Sequence, residues 1–357
     1  MSHARIGFVI GHQLREIRLL HPDRITGGGS GLMRFGWVAE KVNADASIPL
    51  TYELYRPWRK YDVLVFMKAM DSRCQALAKR QQRCGGKVVF DANVNFYEEF
   101  GSYHFEGMRT GPQLKEQAEF MTRNADAVIA DSPYLAEVCT RYNENVEWIP
   151  DNVDMKRVPP YRAWRSGRDR IPVLWSGQSH KLFEFLAIEE TLRKHRDRLE
   201  LVLVTNDLSG IERCHPDIRG RLQRLLDDMA HRLVPYVSIE HLWSIYTEGG
   251  ICMAPRFLDS AYNLGHTEWK ITLAMACGRV ALCHPLSSYI KVSERSGGKG
   301  IRICGDTPQW DQALGEVLSP EFAWEEEECS ARAVVEKAYD TALIARQHAG
   351  FILRTLG

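Results

Sequence analysis

Short, unbroken apolar runs alternate along this chain with longer stretches in which apolar residues recur every three or four positions. In the first half, the runs 5–11 (RIGFVIG), 62–67 (DVLVFM), 87–93 (KVVFDAN), 126–132 (DAVIADS) and 146–150 (VEWIP) predict buried strands. Leu32, Phe35, Ala39 and Val42 trace one helical face, and 71–83 and 111–124 predict two more helices. Apolar strands alternating with helices imply a parallel sheet covered on both faces.

The alternation then restarts. Strands are predicted at 171–177 (IPVLWSG), 199–207 (LELVLVTND), 234–238 (VPYVS), 250–255 (GICMAP), 278–284 (GRVALCH) and 301–305 (IRICG). Helices are predicted at 181–195, 219–231 and 267–277. The stretch 330–356 reads as helical, without proline, with Ala331, Val335, Ala338, Leu343 and Ile344 as its apolar stripe. Between the halves lies 156–170 (KRVPPYRAWRSGRDR), with two prolines, a glycine and six basic residues against one acid. It reads as the interdomain linker, either a solvated connection or a patch for an anionic acceptor or membrane surface.

A length of 357 residues suits two domains. The 46 basic and 46 acidic side chains balance to zero, which argues against a nucleic-acid binder. No run approaches a membrane span, and the N-terminal run lacks the cleavage pattern of a secretory signal. The nine cysteines form no CxxC pair. The expectation is therefore reduced thiols and a cytoplasmic location.

In open parallel sheets, ligands sit beyond the carboxyl ends of the strands, so strand exits hold the candidate chemistry. The glycine run 26–31 (TGGGSG) contains Gly28, Gly29, Ser30 and Gly31 but lacks the spacing of a dinucleotide or P-loop motif. It either lets backbone approach a ligand or is a flexible loop. Gly177 closes a strand, and His180 and Lys181 open the next helix, an arrangement that suits a diphosphate. Within 255–285, Thr267 is a candidate N-cap, with His266 and Lys270 beside the helix start. That start could stabilise a departing diphosphate; alternatively, Glu268 and Lys270 lie on an exposed helix face. No DxD motif occurs, so no metal site is expected. Asp91 and Asn93 stand at a strand exit, facing an acceptor or forming a turn.

Three long segments carry a resemblance. They are NADAVIADSPYLAEVCTRYNENVEWIPDNVD (124–154), RLVPYVSIEHLWSIYTEGGICMAP (232–255) and HTEWKITLAMACGRVAL (266–282). In order and layout they resemble the GT-B glycosyltransferases, most nearly family 4, the large retaining group. The resemblance implies an α/β fold of two facing Rossmann-like domains: an acceptor-side domain over 1–160, a nucleotide-sugar donor domain over 161–330, and a C-terminal helix over 331–357 crossing back.

The same resemblance assigns residues. Gly177 and Lys181 match the donor-phosphate contacts, with His180 beside them, and Lys270 matches the donor-helix lysine. Thr205 and Asn206 would line the cleft and Val237 would meet the nucleobase. His266, Thr267, Glu268 and Thr272 would belong to the donor side. Gly28 to Gly31 would lie near the acceptor and phosphate, with Asp91 and Asn93 on the acceptor side. His104 is the candidate for the first-domain histidine near the sugar; a structural histidine fits its divergent surroundings equally.

Two positions depart from the pattern. Leu273 stands where the family has the glutamate that holds the ribose, and Asp151, Asn152 and Val153 replace its Pro-Asn-Gly turn. Glu268 lies five residues before Leu273, about 140° round and about 7.5 Å along a helix, so it cannot take the same place.

The expected function is retaining, metal-independent transfer of a sugar from a nucleotide-diphosphate sugar to a glycan or lipid-linked acceptor. The nucleotide sugar is a co-substrate, and no other cofactor or nucleic acid is expected. The basic segment would give peripheral contact at the inner membrane face. The alternatives are a nucleotide-sugar epimerase or hydrolase on the same fold, and a catalytically silent binding protein.

Overall fold

In a computed structural model, which describes residues 3–10, 29, 31–105, 107–164 and 169–357, the apolar runs form two six-stranded sheets. The first contains β1 (Ala4–Ile10), β2 (Leu50–Leu54), β3 (Val63–Met67), β4 (Lys87–Ala92), β5 (Ala127–Ala130) and β6 (Val146–Trp148), in the order β2-β1-β3-β4-β5-β6. The second contains β7 (Ile171–Ser176), β8 (Leu199–Val204), β9 (His231–Val234), β10 (Ile251–Ala254), β11 (Val280–Cys283) and β12 (Ile301–Ile303), in the order β12-β11-β10-β7-β8-β9. Every pairing is parallel. Each sheet buries apolar side chains on both faces, as continuous rather than alternating apolar runs require. All nine cysteines are free thiols.

Three elements differ from the sequence reading. β2 was not anticipated: in LTYEL, Leu50 and Tyr52 are buried while Thr51 is exposed, the alternation of an edge strand. The predicted strand 234–238 lies earlier, at His231–Val234, because Pro235 has no N–H to continue the ladder. That leaves Tyr236 and Val237 projecting past the strand end, Val237 73 % exposed. The helix predicted over 181–195 is a 3-10 helix, Ser179–Ile188, followed by an α-helix, Glu189–Lys194.

The C-terminal stretch forms two helices, Trp324–Ala338 and Thr341–Leu356, separated at Asp340, whose side chain caps the second by accepting from the Ala342 amide. The first lays Ala331 and Val335 on the second domain. The second crosses back, burying Ile344, Ala345, Ala349, Phe351 and Ile352 against Ile6, Phe8 and Tyr52 of the first domain. Leu343, expected on the apolar stripe, is instead exposed. His348 Nδ1 lies 2.9 Å from the Tyr52 hydroxyl. Each fully buried aliphatic or aromatic side chain here contributes about 1.5–3 kcal/mol. Deleting 341–357 is therefore expected to expose one face of the first sheet and drive the protein into the insoluble fraction. A soluble, cooperatively melting truncation would contradict this packing.

The basic segment is held down over much of its described length. Val158 and Trp164 pack into second-domain clusters, the Trp164 amide donates to buried Glu328, and Arg157 pairs with Asp154 and Glu40.

Candidate functional site

Strand order reverses at β1/β3 in the first sheet and at β7/β10 in the second. Chains leaving neighbouring strands in opposite directions open a crevice at each such point. Here the two crevices face one another and form a cleft of about 1530 Å³, lined at the strand exits by Ile10, Met67, Ser176 and Arg256.

The second-domain wall carries most of the expected donor residues. Gly177 directly follows β7, its amide donating to the Val204 carbonyl at 3.2 Å. A side chain there would come within 3.1 Å of the Trp175 ring. Lys181 follows on the 3-10 helix, and Thr205 and Asn206 leave β8. Val237 lines the cleft with Tyr236, Ser238 and Glu240, and His266, Thr267 and Lys270 line it as well.

The cations here form one group. Buried Glu184 accepts from Arg256 Nη1 and, at 3.3 Å, from Lys270 Nζ, whose ammonium also lies 4.7 Å from the centre of the Trp175 ring. Arg256 Nη2 donates to the Tyr289 hydroxyl at 3.2 Å. Burial pulls the Lys270 amine well below its ordinary pKa, and nearby Arg256 and Lys181 add to the effect. His266 is lowered in the same way, first by burial and then by Arg256 and Lys181. Like charges held together away from water favour an anion that would neutralise them.

The first-domain wall adds Lys68 at the exit of β3. It is the one non-glycine residue with positive φ, +52°, among the described residues. Such a conformation is uncommon and is sustained only where surroundings enforce it. Lys68 reaches the solvent of the cleft while protein crowds its other sides. Burial lowers its pKa against the opposing pull of Asp131, Asp151 and Asp91, and Lys181 across the cleft lowers it further. Gly29 approaches the second domain: a side chain on it would lie within 2.6 Å of the Trp269 ring.

Behind the cleft floor, Arg34 ties the first domain together. Its Nε donates to Asp91 Oδ2 at 3.0 Å, and its Nη1 to Asp151 Oδ1 at 2.9 Å and to the Ile149 carbonyl at 3.2 Å. Burial opposes its charge, but Asp91, Asp151 and Asp131 outweigh that and raise its pKa.

The structure does not bring every expected residue to the cleft. His104 is stacked between Phe183 and Phe257, with ring centres 4.7 and 4.2 Å away, in an apolar contact between the domains. His180 packs on Phe105, and burial followed by Arg213 lowers its pKa to about 4. Asp91 is committed to Arg34. The side-chain atoms of Asn93 are buried with no hydrogen-bond partner among the described residues. Thr272 is buried and donates back to the Trp269 carbonyl. Glu268 is neither a cleft residue nor an exposed one. It is fully buried, and burial followed by Asp151 raises its pKa well above the ordinary range. Thr267 is not the N-cap, because the helix begins at Trp269 with Glu268 in that place. Gly28 and Ser30 lie outside the described residues.

Arg256, Glu184, Lys68, Arg34 and Trp269 were missed. A lone arginine inside the apolar run LMRFGW was the available signal for Arg34. Nothing in the sequence marked Glu184 or Lys68, since their roles depend on contacts with distant segments.

No family model matches the sequence, and neither does any curated protein. Solved structures do align over nearly the whole chain. The Anabaena protein HepE, crystallised with UDP and glucose, is similar over 99% of this chain and 100% of its own, with 12% identity and a TM-score of 0.68. Sucrose-phosphate synthase from Thermosynechococcus elongatus is similar over 99% of both chains, with 16% identity and a TM-score of 0.69. A Rickettsia africae glycosyltransferase aligns over 99% of both chains, with 10% identity and a TM-score of 0.67.

The fold is GT-B. Leu273 is almost fully buried and lines this cleft, its side chain offering no acceptor for a hydroxyl. Among the described residues, no helix is long and apolar enough to cross a membrane.

Proposed function

We propose that this protein transfers a sugar from a nucleotide-diphosphate sugar to a glycan or lipid-linked acceptor, with retention at the anomeric carbon and without a divalent metal. The observation that carries the reading is the convergence of Lys181, Arg256 and Lys270 on one side of the cleft, beside the end of β7. Bond breaking at the anomeric carbon leaves negative charge on the departing diphosphate. Cations fixed in advance and shielded from water stabilise that charge without reorganising. Glu184 orients two of the three and keeps them from collapsing elsewhere. The nucleoside would extend toward Tyr236 and Val237, and the sugar toward Lys68 and the first domain. HepE has also been crystallised with UDP-glucose, which supports a nucleotide sugar as the occupant here.

The test is incubation with UDP-, ADP- and GDP-sugars, with and without acceptors. Slow donor hydrolysis or transfer supports the reading; isomerised nucleotide sugar would replace it with an epimerase. Leu273 favours one further reading, a catalytically silent binding protein, which tight nucleotide binding with no turnover would establish. Turnover is expected to persist in excess chelator. Loss restored by magnesium or manganese would refute the metal-free mechanism.

Leu273 also sets an expectation for the ribose. A 2′-deoxynucleoside diphosphate should bind within about tenfold of the ribonucleotide, a difference of about 1.4 kcal/mol or less. Calorimetric titration of both decides this. A penalty near a hundredfold that disappears in Glu240→Ala would assign the ribose to the carboxylate beside Val237 instead.

A further inference from the structure

We infer that Phe105 is a positioning residue for the departing diphosphate, a first-domain side chain that fixes Lys181 through His180 and Tyr262 of the second domain. This rests on the diphosphate reading above and adds the residue that couples the seating of the two domains to that grip.

Residues 95–105 follow β4 and cross to the second domain, where backbone and side-chain bonds hold them. The Ala261 amide donates to the Phe100 carbonyl at 3.2 Å, and the His215 amide to the His104 carbonyl at 3.0 Å. Asn95 Nδ2 donates to the Ala261 carbonyl at 3.1 Å, and Ser102 Oγ to Asp259 Oδ2 at 2.7 Å. Gly101, at φ +92°, lies so close to Asp259 that a side chain on it would strike that residue's carbonyl.

This docking carries Phe105 into the second domain, where it is 4 % exposed. Its ring centre lies 4.6 Å from that of His180, 5.7 Å from that of Phe183 and 5.9 Å from that of Tyr262, the last met nearly at a right angle. His180 and Tyr262 both bear on Lys181. The first precedes it in the chain, and the ring centre of the second lies 5.4 Å from its ammonium. The Tyr262 carbonyl also lies 2.8 Å from Nδ1 of His266, another residue of the cleft lining. A lysine that grips an anion gives up rotamer freedom, and neighbours that already confine it lower that cost. Phe105 stands behind these neighbours and is not itself part of the cleft lining. When residues 95–105 leave their seat, His180 and Tyr262 lose this support and the hold on the diphosphate loosens.

The test titrates the full-length parent and its variants calorimetrically with UDP, ADP and GDP and with the matching nucleosides. Phe105→Ala is expected to shrink the gap between the tightest diphosphate and its nucleoside by about tenfold, a large part of one charge-assisted contact, while the nucleoside Kd stays unchanged. Phe105→Leu, which keeps much of the apolar volume, should retain most of the gap. Gly101 is exposed, so Gly101→Ala should fold, and it should reproduce the loss by pushing the segment off Asp259. A gap that survives either Phe105→Ala or Gly101→Ala, or a loss shared equally by nucleoside and diphosphate, would overturn the inference. A parent protein that binds nucleoside and diphosphate equally would instead refute the diphosphate reading, and the inference with it.

Discussion

Lys181→Ala and Lys270→Ala are each expected to slow donor turnover by roughly tenfold to a hundredfold, because a lost charge-assisted contact is worth about 1.5–3 kcal/mol. The two variants should differ in stability. Among the described residues Lys181 forms no ion pair, its ammonium lying 5.4 Å from the centre of the Tyr262 ring, so its removal should leave the melting transition close to that of the parent. Lys270 is bonded to a fully buried carboxylate, so its removal leaves Glu184 with Arg256 alone and should also lower the melting temperature. Steady-state kinetics and thermal denaturation on both variants check this. Unchanged kinetics in both would mean that the diphosphate lies elsewhere.

Arg34→Met should have the largest effect on folding. The substitution preserves much of the volume but strands Asp91 and Asp151 in the core, where both are almost wholly shielded from solvent. Breaking a buried pair by removing one partner costs about 3–5 kcal/mol, a large part of a typical domain's stability. Urea denaturation should show a lower midpoint with little change in slope. Adding Asp91→Asn to Arg34→Met should recover part of the loss, because one of the stranded charges is then gone. A single variant as stable as the parent would mean that the two carboxylates find other partners or protons.

The layer architecture was legible because unbroken apolar runs such as VLVFM and VALC can be buried on both faces of a sheet. β2 escaped notice because half of its residues face solvent, and five residues of alternation carry little signal. Pro235 could have placed the end of β9, since its missing N–H forbids further pairing at that point. Gly177, Lys181, Thr205, Asn206, Val237 and Lys270 could be placed along the cleft because strand exits and helix starts are local features. His104 and His180 lie outside the cleft lining, which the sequence could not show, because their neighbours are aromatic rings from distant segments. Glu184 and Arg256 are 72 residues apart, a separation at which no spacing rule could have paired them. Glu268 shows the same limit: its position in the first turn suggested exposure, yet the crossing of the two domains buries it against Asp151 and Tyr339.

The central claim is that the cleft binds a nucleoside diphosphate through Lys181, Arg256 and Lys270. Its most direct test is calorimetric titration with uridine, adenosine and guanosine and with their diphosphates, in metal-free buffer containing chelator. One diphosphate is expected to bind at least a hundredfold more tightly than its own nucleoside, with most of that gap lost in Lys270→Ala. Equal affinity for the nucleoside and its diphosphate, or a gap that appears only when magnesium is added, would contradict the claim.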